Sequence, residues 1–226
     1  MDPHQEQAGL AWQVGVWDRM SDVYQREIDR RFAPVVEHVI ARARLAAGEG
    51  ALDLGTGTGA VAARAAQVVG PEGRVVGVDI SADMLRAARQ RVAAQGLTTV
   101  SFREGRAEAL PAENESVDVV LASLSLMYVI DRAAAARELA RVLRPRGRVI
   151  AAVWAEPEAC DIVLFQQTAG RLPALLPSRA SAPARWRILL PSCASWRRRV
   201  SRPGSSARRS ASTSRALARR GTRWPA

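Results

Sequence analysis

The feature that most constrains the fold is an alternation of short apolar runs and helical patterns between residues 50 and 154. Each apolar run is followed by a segment whose apolar residues recur at three- and four-residue spacings. This alternation is typical of a parallel sheet whose strands are joined by crossover helices. The predicted strands are 51–54, 74–79, 99–103, 117–122 and 148–154. We therefore predict an α/β fold, a Rossmann-like doubly wound sheet that is mostly parallel.

Capping residues indicate where the crossover helices begin. Ser81 and Asp131 have the short polar side chains that helix N-caps prefer, and apolar residues at helical spacing follow each of them. The helix after Asp131 is predicted to include Leu143 and to stop at the Pro-Arg-Gly sequence. Before the repeat, two further helices are predicted, separated near Pro34.

The segment 51–60, ALDLGTGTGA, joins the first predicted strand to the first crossover helix. Glycines remove the side chains that would keep a ligand away from the backbone, so such a loop favours close approach of a cofactor. Gly55, Gly57 and Ala60 satisfy the G-x-G-x-x-G/A pattern of dinucleotide sites, and Asp79 ends the next strand where a ribose-binding acid is expected. A dinucleotide is therefore one of two cofactors that fit the pattern.

Asp53 favours the other cofactor. It lies two residues before the first glycine, where a carboxylate would repel a pyrophosphate but attract a ligand that carries an ammonium and a sulfonium. With Gly59 the segment becomes Asp-x-Gly-x-Gly-x-Gly, which resembles motif I of the class I S-adenosylmethionine-dependent methyltransferases. The same two residues disfavour a nicotinamide-dependent oxidoreductase.

The resemblance extends over roughly residues 10–165. Segments 103–111, 116–129 and 137–154 resemble the adenine-binding segment, the fourth strand with its active-site loop, and the last helix with the fifth strand of that family. The resemblance implies the strand order 3-2-1-4-5 and S-adenosylmethionine as the cofactor. It also implies methyl transfer to a small-molecule acceptor, with O- or C-methylation favoured, as in the group similar to the ubiquinone/menaquinone-biosynthesis methyltransferases.

The cofactor-binding residues are implied by the same resemblance. Asp79 matches the acid that hydrogen-bonds both ribose hydroxyls, and Ile80 would lie beside the adenine. Arg106 stands where the family usually has an Asp that accepts a hydrogen bond from the adenine amino group, which a guanidinium cannot do. Adenine recognition would then depend on the backbone around Ala107 and on apolar packing. The full predicted set is Asp53, Gly55, Thr56, Gly57, Gly59, Asp79, Ile80, Arg106, Ala107 and Ser123.

The acceptor side of the site is less well marked, and no catalytic residue is assigned. Ser123, Ser125 and Tyr128 follow the fourth predicted strand, where they serve either a ligand or the solvation of the loop. Trp17 and Tyr24 lie on the N-terminal helices, which in similar methyltransferases cover the active site. Packing is favoured over specific contact for both.

The turn before the fifth strand is a second departure from the family, which favours Pro-Gly-Gly where this chain has Pro145, Arg146 and Gly147. A type I turn would accommodate Arg146, whereas a positive φ would disfavour it. The sequence leaves open whether Arg146 has a negative or a positive φ.

The last quarter of the chain differs in composition from the rest. Residues 171–226 contain 14 of the 33 arginines and no acidic residue, whereas residues 1–170 contain 19 arginines and 22 acidic residues, a net charge of −3. The net charge of +11 therefore comes from the tail. Recurring prolines and the lack of period-two alternation do not fit the two further strands that the family usually has. We hypothesise that the reading frame shifts near Gly170, with the last two strands missing and activity impaired.

These observations divide the chain into lid helices over 1–48, an S-adenosylmethionine-binding core over 49–165, and a disordered tail over 166–226. The alternative function is a nucleic-acid-associated protein that uses the basic tail for phosphate contacts, which the slightly acidic body disfavours. Two Cys and two His are too few for the usual zinc or iron sites, and no apolar run reaches the length of a membrane span. We expect no metal, no membrane span and a cytoplasmic location.

Overall fold

A computed structural model of the chain describes residues 3–155. The helices are α1 (Pro3–Val23), α2 (Asp29–Ala43), α3 (Ala60–Val69), α4 (Ala82–Ala94) and α5 (Arg132–Val142). The strands are β1 (Gly50–Leu54), β2 (Arg74–Asp79), β3 (Val100–Glu104), β4 (Val117–Ser123) and β5 (Leu143–Ala152). A π turn (Tyr24–Ile28) joins α1 to α2, and a 3-10 turn (Leu126–Tyr128) follows β4.

The five strands form one sheet in the order β3-β2-β1-β4-β5, and every neighbouring pair is parallel. Ala51 of β1 pairs with Val75 on one side and with Val119 on the other. Because the chain leaves β1 toward one edge and later returns to place β4 on its other side, the order reverses between β1 and β4. Ligands bind at such switch points, at the carboxyl ends of the strands. The predicted fold class and strand order are confirmed.

Alternate residues of the central strands pack on opposite faces of the sheet, as the two-residue period of a strand requires. Ala51 belongs to a core that is formed with α2 and α3 and that contains Val39 and Val69. Leu52 belongs to a second core that is formed with α5 and that contains Leu139. Helices therefore cover both faces, and the carboxyl edge of the sheet is left for a site.

The break between the N-terminal helices does not lie at Pro34, so that prediction is wrong. Pro34 lies inside α2, and the winding changes earlier, in the π turn, where the Asp29 N–H donates to the Tyr24 carbonyl. A proline inside a helix costs about 3 kcal/mol because its ring clashes with a carbonyl one turn back and it lacks a donor. The buried side chains of Val39, Ile40 and Ala43 on the same helix offset that cost.

The fifth strand begins earlier than predicted, and Leu143 belongs to it and not to α5. Leu143 has extended backbone angles and pairs with Val117, whereas the next regular pair joins Arg148 to Val119. Residues 144–147 therefore form an irregularity within the strand. Arg146 lies there at a φ of 70°, so the turn has the positive φ that disfavours arginine.

The predictions for residues 166–226, namely a disordered tail, two missing strands and a shifted reading frame, lie outside the described residues. Within residues 3–155, none of the helices combines the length and the hydropathy that crossing a lipid bilayer requires.

Candidate functional site

A cavity opens at the carboxyl ends of β1, β2 and β4, with an empty volume of about 900 Å³ that includes open solvent. Its floor comes from the loops that follow these strands and β3. Its roof comes from α1, the π turn, and the end of the 3-10 turn with the two residues that follow it. The floor residues are Leu54, Gly55, Gly57, Val78, Asp79, Ile80, Met84, Gly105, Arg106, Ala107, Glu108, Ser123, Leu124 and Ser125, and the roof residues are Leu10, Gln13, Val14, Trp17, Tyr24, Tyr128, Val129 and Ile130.

The loop after β1 needs its glycines for different reasons. Gly55, Gly57 and Gly59 all have positive φ, at 67°, 53° and 79°. A Cβ on Gly55 would lie 2.3 Å from the Cβ of Ser125, and one on Gly59 would lie 2.9 Å from the Cβ of Ala88. A Cβ on Gly57 would meet no atom within 4 Å. Gly55 and Gly59 therefore permit tight packing, whereas Gly57 borders open space.

Asp79 is the carboxylate of the cavity floor. Its Oδ2 accepts the N–H of Gly57 at 2.8 Å, and its Oδ1 accepts the N–H of Ser81 at 3.0 Å. Burial raises the pKa of Asp79, and these backbone hydrogen bonds oppose the increase. The N–H of Ile80 also lowers the pKa of Asp79, and a carboxylate has about four lone-pair sites, so these three backbone groups leave part of its acceptor capacity for a ligand. The glycine loop and the end of β2 are thereby fixed to each other through a group that faces the cavity.

Asp53 lies behind the cavity wall and is 1% exposed. Its Oδ2 accepts the hydroxyl of Thr56 at 2.6 Å. Its Oδ1 makes no hydrogen bond of ordinary geometry within the described residues, although the N–H of Ala62 in the first turn of α3 lowers the pKa. Burial outweighs these contacts and raises the pKa of Asp53 to about 7. Asp53 thus orders the glycine loop from below.

Arg106 lies on the cavity wall after β3 and is paired with a neighbouring carboxylate. Its Nε lies 3.5 Å from Glu108 Oε2, and Glu108 Oε1 accepts the N–H groups of Ile130 and Asp131 at 3.2 and 3.3 Å. Glu108 therefore ties the loop after β3 to the segment before α5. Glu108 is not among the residues that were predicted from the sequence to form the site.

The loop after β4 is held against β1. The hydroxyl of Ser125 donates to the Leu54 carbonyl at 2.6 Å, and the Leu124 N–H donates to the Ala152 carbonyl at 2.9 Å. Leu124 has a φ of 56°, a conformation that costs a leucine of order 1 kcal/mol or more. The hydroxyl of Ser125 thus has a structural partner, and the loop is held in a strained form beside the cavity.

The roof is aromatic. The ring of Trp17 meets those of Tyr24 and Tyr128 edge-to-face, at centroid distances of 6.3 and 5.4 Å, and Tyr24 in turn lies 6.4 Å from Phe32. Burial, followed by the charge of Asp29, raises the pKa of Tyr24 to about 12. Tyr24 therefore keeps its proton at neutral pH and can donate a hydrogen bond.

Seven of the ten predicted cofactor-binding residues line the cavity, and three lie behind its wall. Those on the wall are Gly55, Gly57, Asp79, Ile80, Arg106, Ala107 and Ser123. Those behind it are Asp53, Thr56 and Gly59, which support the loop. Leu10 and Gln13 of α1 also line the cavity and were not predicted from the sequence. The spacing of Leu10, Val14 and Trp17 along one helix face was a signal that could have located this lining. Residues 3–155 contain no cluster of His, Cys, Asp or Glu side chains that could hold a metal ion.

Comparison with known proteins points to one family. The model of the family described as the methyltransferase domain matches residues 45–181. The chain is similar to the nocamycin O-methyltransferase of Saccharothrix syringae, with 42% identity over 136 residues, which cover 59% of this chain and 48% of that protein. It is also similar to the ubiquinone/menaquinone biosynthesis C-methyltransferase of a Marinomonas species, with 33% identity over 63% of this chain and 56% of that protein.

The fold has a counterpart among solved structures. The crystal structure of a SAM-dependent methyltransferase from Aquifex aeolicus aligns with a TM-score of 0.51 and 24% identity, over 60% of this chain and 78% of that one. At that identity the likeness concerns the fold. The chain spans about half the length of the two relatives described above.

Proposed function

Because the chain belongs to the methyltransferase domain family, we propose that it binds S-adenosylmethionine and transfers the methyl group to a small-molecule acceptor. The observation that carries the proposal is the contact between Asp79 and the glycine loop. A carboxylate that keeps acceptor capacity faces the cavity and is fixed to Gly57, beside which space is open. The residues present therefore fit a nucleoside that offers two hydroxyls to one carboxylate.

The donor residues are assigned on this basis. Asp79 would accept hydrogen bonds from the ribose hydroxyls, and Ile80 and Ala107 would flank the adenine. Gly55 and Gly57 would let the backbone approach the donor closely. Asp53, Thr56 and Gly59 would hold the loop in place, and Ser123 would border the donor from the loop after β4. Arg106, which is paired with Glu108, would leave the adenine amino group without a carboxylate acceptor at its position.

The remaining task of the chain is to align an acceptor and to exclude water. When bound, S-adenosylmethionine supplies an electrophilic methyl group on a sulfonium. Orientation of two reactants can contribute about 7–11 kcal/mol to the lowering of a barrier. The roof rings of Trp17, Tyr24 and Tyr128 form an apolar wall that would orient the acceptor opposite the floor. Tyr24 would act as a hydrogen-bond donor, since its pKa of about 12 rules out a role as a base at neutral pH.

The acceptor is proposed to be methylated on oxygen or carbon. The two relatives described above are named as an O-methyltransferase and a C-methyltransferase, which supports this choice. The proposal retains the cytoplasmic location expected from the sequence, which fractionation of the producing cells would test. The nucleic-acid alternative depends on residues 171–226, outside the described residues, and stays a prediction.

Calorimetric titration tests the donor assignment. We expect S-adenosylmethionine and S-adenosylhomocysteine to bind at one site and NAD not to bind. Asp79→Ala should abolish or greatly weaken that binding, whereas Asp83→Ala, whose partner Arg86 lies on the surface, should bind as the parent chain does. Binding of NAD in preference to both methionine derivatives would contradict the proposal.

A further inference from the structure

A partly buried polar cluster joins the N-terminal helices to the cavity floor, and the proposed function does not use it. Thr58 lies between two glycines of the loop and is 1% exposed. Its hydroxyl lies 2.7 and 2.9 Å from the two carboxylate oxygens of Asp29, the first residue of α2. Arg91 of α4 donates through Nε to the Thr58 carbonyl at 2.8 Å and forms an ion pair with Asp29. We call these three residues the latch.

A second contact reaches the same floor from α1. Ser81 is fully buried, and its hydroxyl donates to Asp18 Oδ1 at 2.5 Å. The same hydroxyl accepts the N–H of Met84, and the Ser81 N–H donates to Asp79. The N-terminal helices are therefore tied both to the loop after β1 and to the loop after β2, which are the two loops that present Gly57 and Asp79.

The latch lies where the helices change their winding. The N–H of Asp29 closes the π turn on the carbonyl of Tyr24, and Tyr24 packs edge-to-face on Trp17. Both aromatic rings line the cavity. A displacement of Thr58 would therefore be transmitted to the aromatic roof through the side chain of Asp29 and the backbone of the π turn.

Partial burial of the Asp29 carboxylate costs free energy, which is consistent with a role for the latch other than stabilising the fold. Burial raises the pKa of Asp29, and only the contacts with Thr58 and Arg91 oppose that increase. A buried carboxylate is tolerated where it is paired and hydrogen-bonded, and an ion pair of this kind is weak as a source of stability alone. The pair Arg64–Glu37 also joins α2 to its neighbour α3, but both side chains are exposed and neither touches the loop. The two bridges thus differ in burial and in what they contact.

We propose that Asp29 and Arg91 are positioning residues that hold the glycine loop and the π turn in one arrangement, so that the floor and the aromatic roof form a single cavity. Neither side chain lines the cavity, and both act through Thr58 and Tyr24. The consequence for donor binding rests on the proposed function. The mechanical coupling between the loop and the roof does not.

Three variants of the full chain test the coupling between the loop and the roof separately from its effect on donor binding. Thr58→Val keeps the shape and removes the hydroxyl, Thr58→Ser restores the hydroxyl, and Glu37→Gln breaks only the exposed bridge. Amide hydrogen exchange of the ligand-free protein should be faster over residues 17–29 in Thr58→Val and unchanged in the other two. The affinity for S-adenosylhomocysteine should fall by roughly tenfold to a hundredfold in Thr58→Val alone, the range expected for a lost hydrogen bond to a charged group.

The outcomes are distinct. Unchanged exchange over residues 17–29 in Thr58→Val, or equal acceleration in Glu37→Gln, would overturn the coupling. Equal weakening of the affinity in Thr58→Ser and Thr58→Val would show that the hydroxyl has no role. If the parent chain does not bind S-adenosylhomocysteine, the proposed function fails and the exchange data alone decide the coupling. Should Thr58→Val not fold, Arg91→Gln replaces it, with the same faster exchange expected.

Discussion

The floor and the roof of the cavity are built from different chemistry. The floor presents a carboxylate, backbone amides and positive-φ glycines, and a second carboxylate, Asp53, lies buried beneath it. The roof presents the rings of Trp17, Tyr24 and Tyr128 in edge-to-face contact. Buried carboxylates cost stability, whereas aromatic packing contributes to it. The difference fits the proposed roles of the two regions, with a polar donor bound at the floor and a less polar acceptor held against the roof.

The two regions also differ in how their residues come together. The floor residues belong to short segments that begin at the ends of four strands, β1, β2, β3 and β4. The roof draws on Leu10, Trp17, Tyr24 and Tyr128, which are separated by up to more than a hundred positions in the chain.

The largest effect is expected from the carboxylate of the floor. Asp79→Ala should weaken the binding of S-adenosylhomocysteine by about a hundredfold or more, because two hydrogen bonds to a charged group are lost. Calorimetric titration measures this change. A loss of less than tenfold, with the folded structure retained, would show that the floor is not the donor site.

The glycines of the floor should respond unequally. Gly55→Ala combines a positive φ with a 2.3 Å approach to Ser125, whereas Gly57→Ala meets no atom within 4 Å. We expect Gly55→Ala to lower the free energy of unfolding by about 1–3 kcal/mol more than Gly57→Ala, the usual cost of overpacking. Urea unfolding of both variants measures the difference. Equal destabilisation would mean that the loop relaxes away from Ser125.

The roof should affect the acceptor more than the donor. Trp17→Ala removes a ring that lines the cavity and the two edge-to-face contacts that hold this ring in place, so the KM for the acceptor should rise, by roughly tenfold for a loss of about 1.4 kcal/mol of binding free energy. The affinity for S-adenosylhomocysteine should change less than this KM does. Trp12→Ala is the matched control, since Trp12 lies on the same helix, is half exposed and does not line the cavity. If Trp17→Ala weakened donor binding by a larger factor than it raised the KM for the acceptor, the roof would not be specific to the acceptor.

The smallest effect concerns the buried carboxylate and pH. The pKa of Asp53 is raised to about 7 in the folded state, above its value in the unfolded chain, so the folded state binds the extra proton below pH 7. The contribution of this group to stability is therefore greatest at acidic pH and falls as the pH rises toward 7. Between pH 6 and pH 7 the fall should be about 1 kcal/mol.

Asp53→Asn removes this dependence. The variant should therefore gain about 1 kcal/mol in the free energy of unfolding relative to the parent chain between pH 6 and pH 7. Urea unfolding at the two pH values measures the difference, and the unchanged carboxylates Glu49, Asp118 and Glu138, whose pKa values are lowered, cancel in the comparison. A difference that does not vary with pH would show that Asp53 is ionised throughout this range.

Seven of the ten residues that were predicted to bind the cofactor line the cavity, and their positions could be predicted because the sequence signal is local. The spacing of Asp53, Gly55, Gly57 and Gly59 follows from one strand, one loop and one helix start, and Asp79 ends the next strand. The N-cap roles of Ser81 and Asp131 were likewise predicted from residue type and position, and both side chains cap their helices.

The other features of the site and the fold could not be predicted, because they depend on contacts between distant parts of the chain. Nothing near Asp29 shows that it meets Thr58 and Arg91, and nothing near Glu108 shows that it binds the amides before α5. Pro34 carried a strong local signal for a helix break, but packing of α2 on the sheet overrode it. Leu143 fitted the helical pattern, yet pairing with Val117 placed it in a strand.

Amide hydrogen exchange with and without S-adenosylhomocysteine tests whether the floor binds the methyl donor. We expect slower exchange over residues 55–59, 79–81 and 105–107 when the ligand is present, because these segments form or support the floor. Residues 113–115, which are exposed and do not line the cavity, should exchange equally in both states. Unchanged exchange rates over all three floor segments while the ligand is bound would contradict a donor site at the floor.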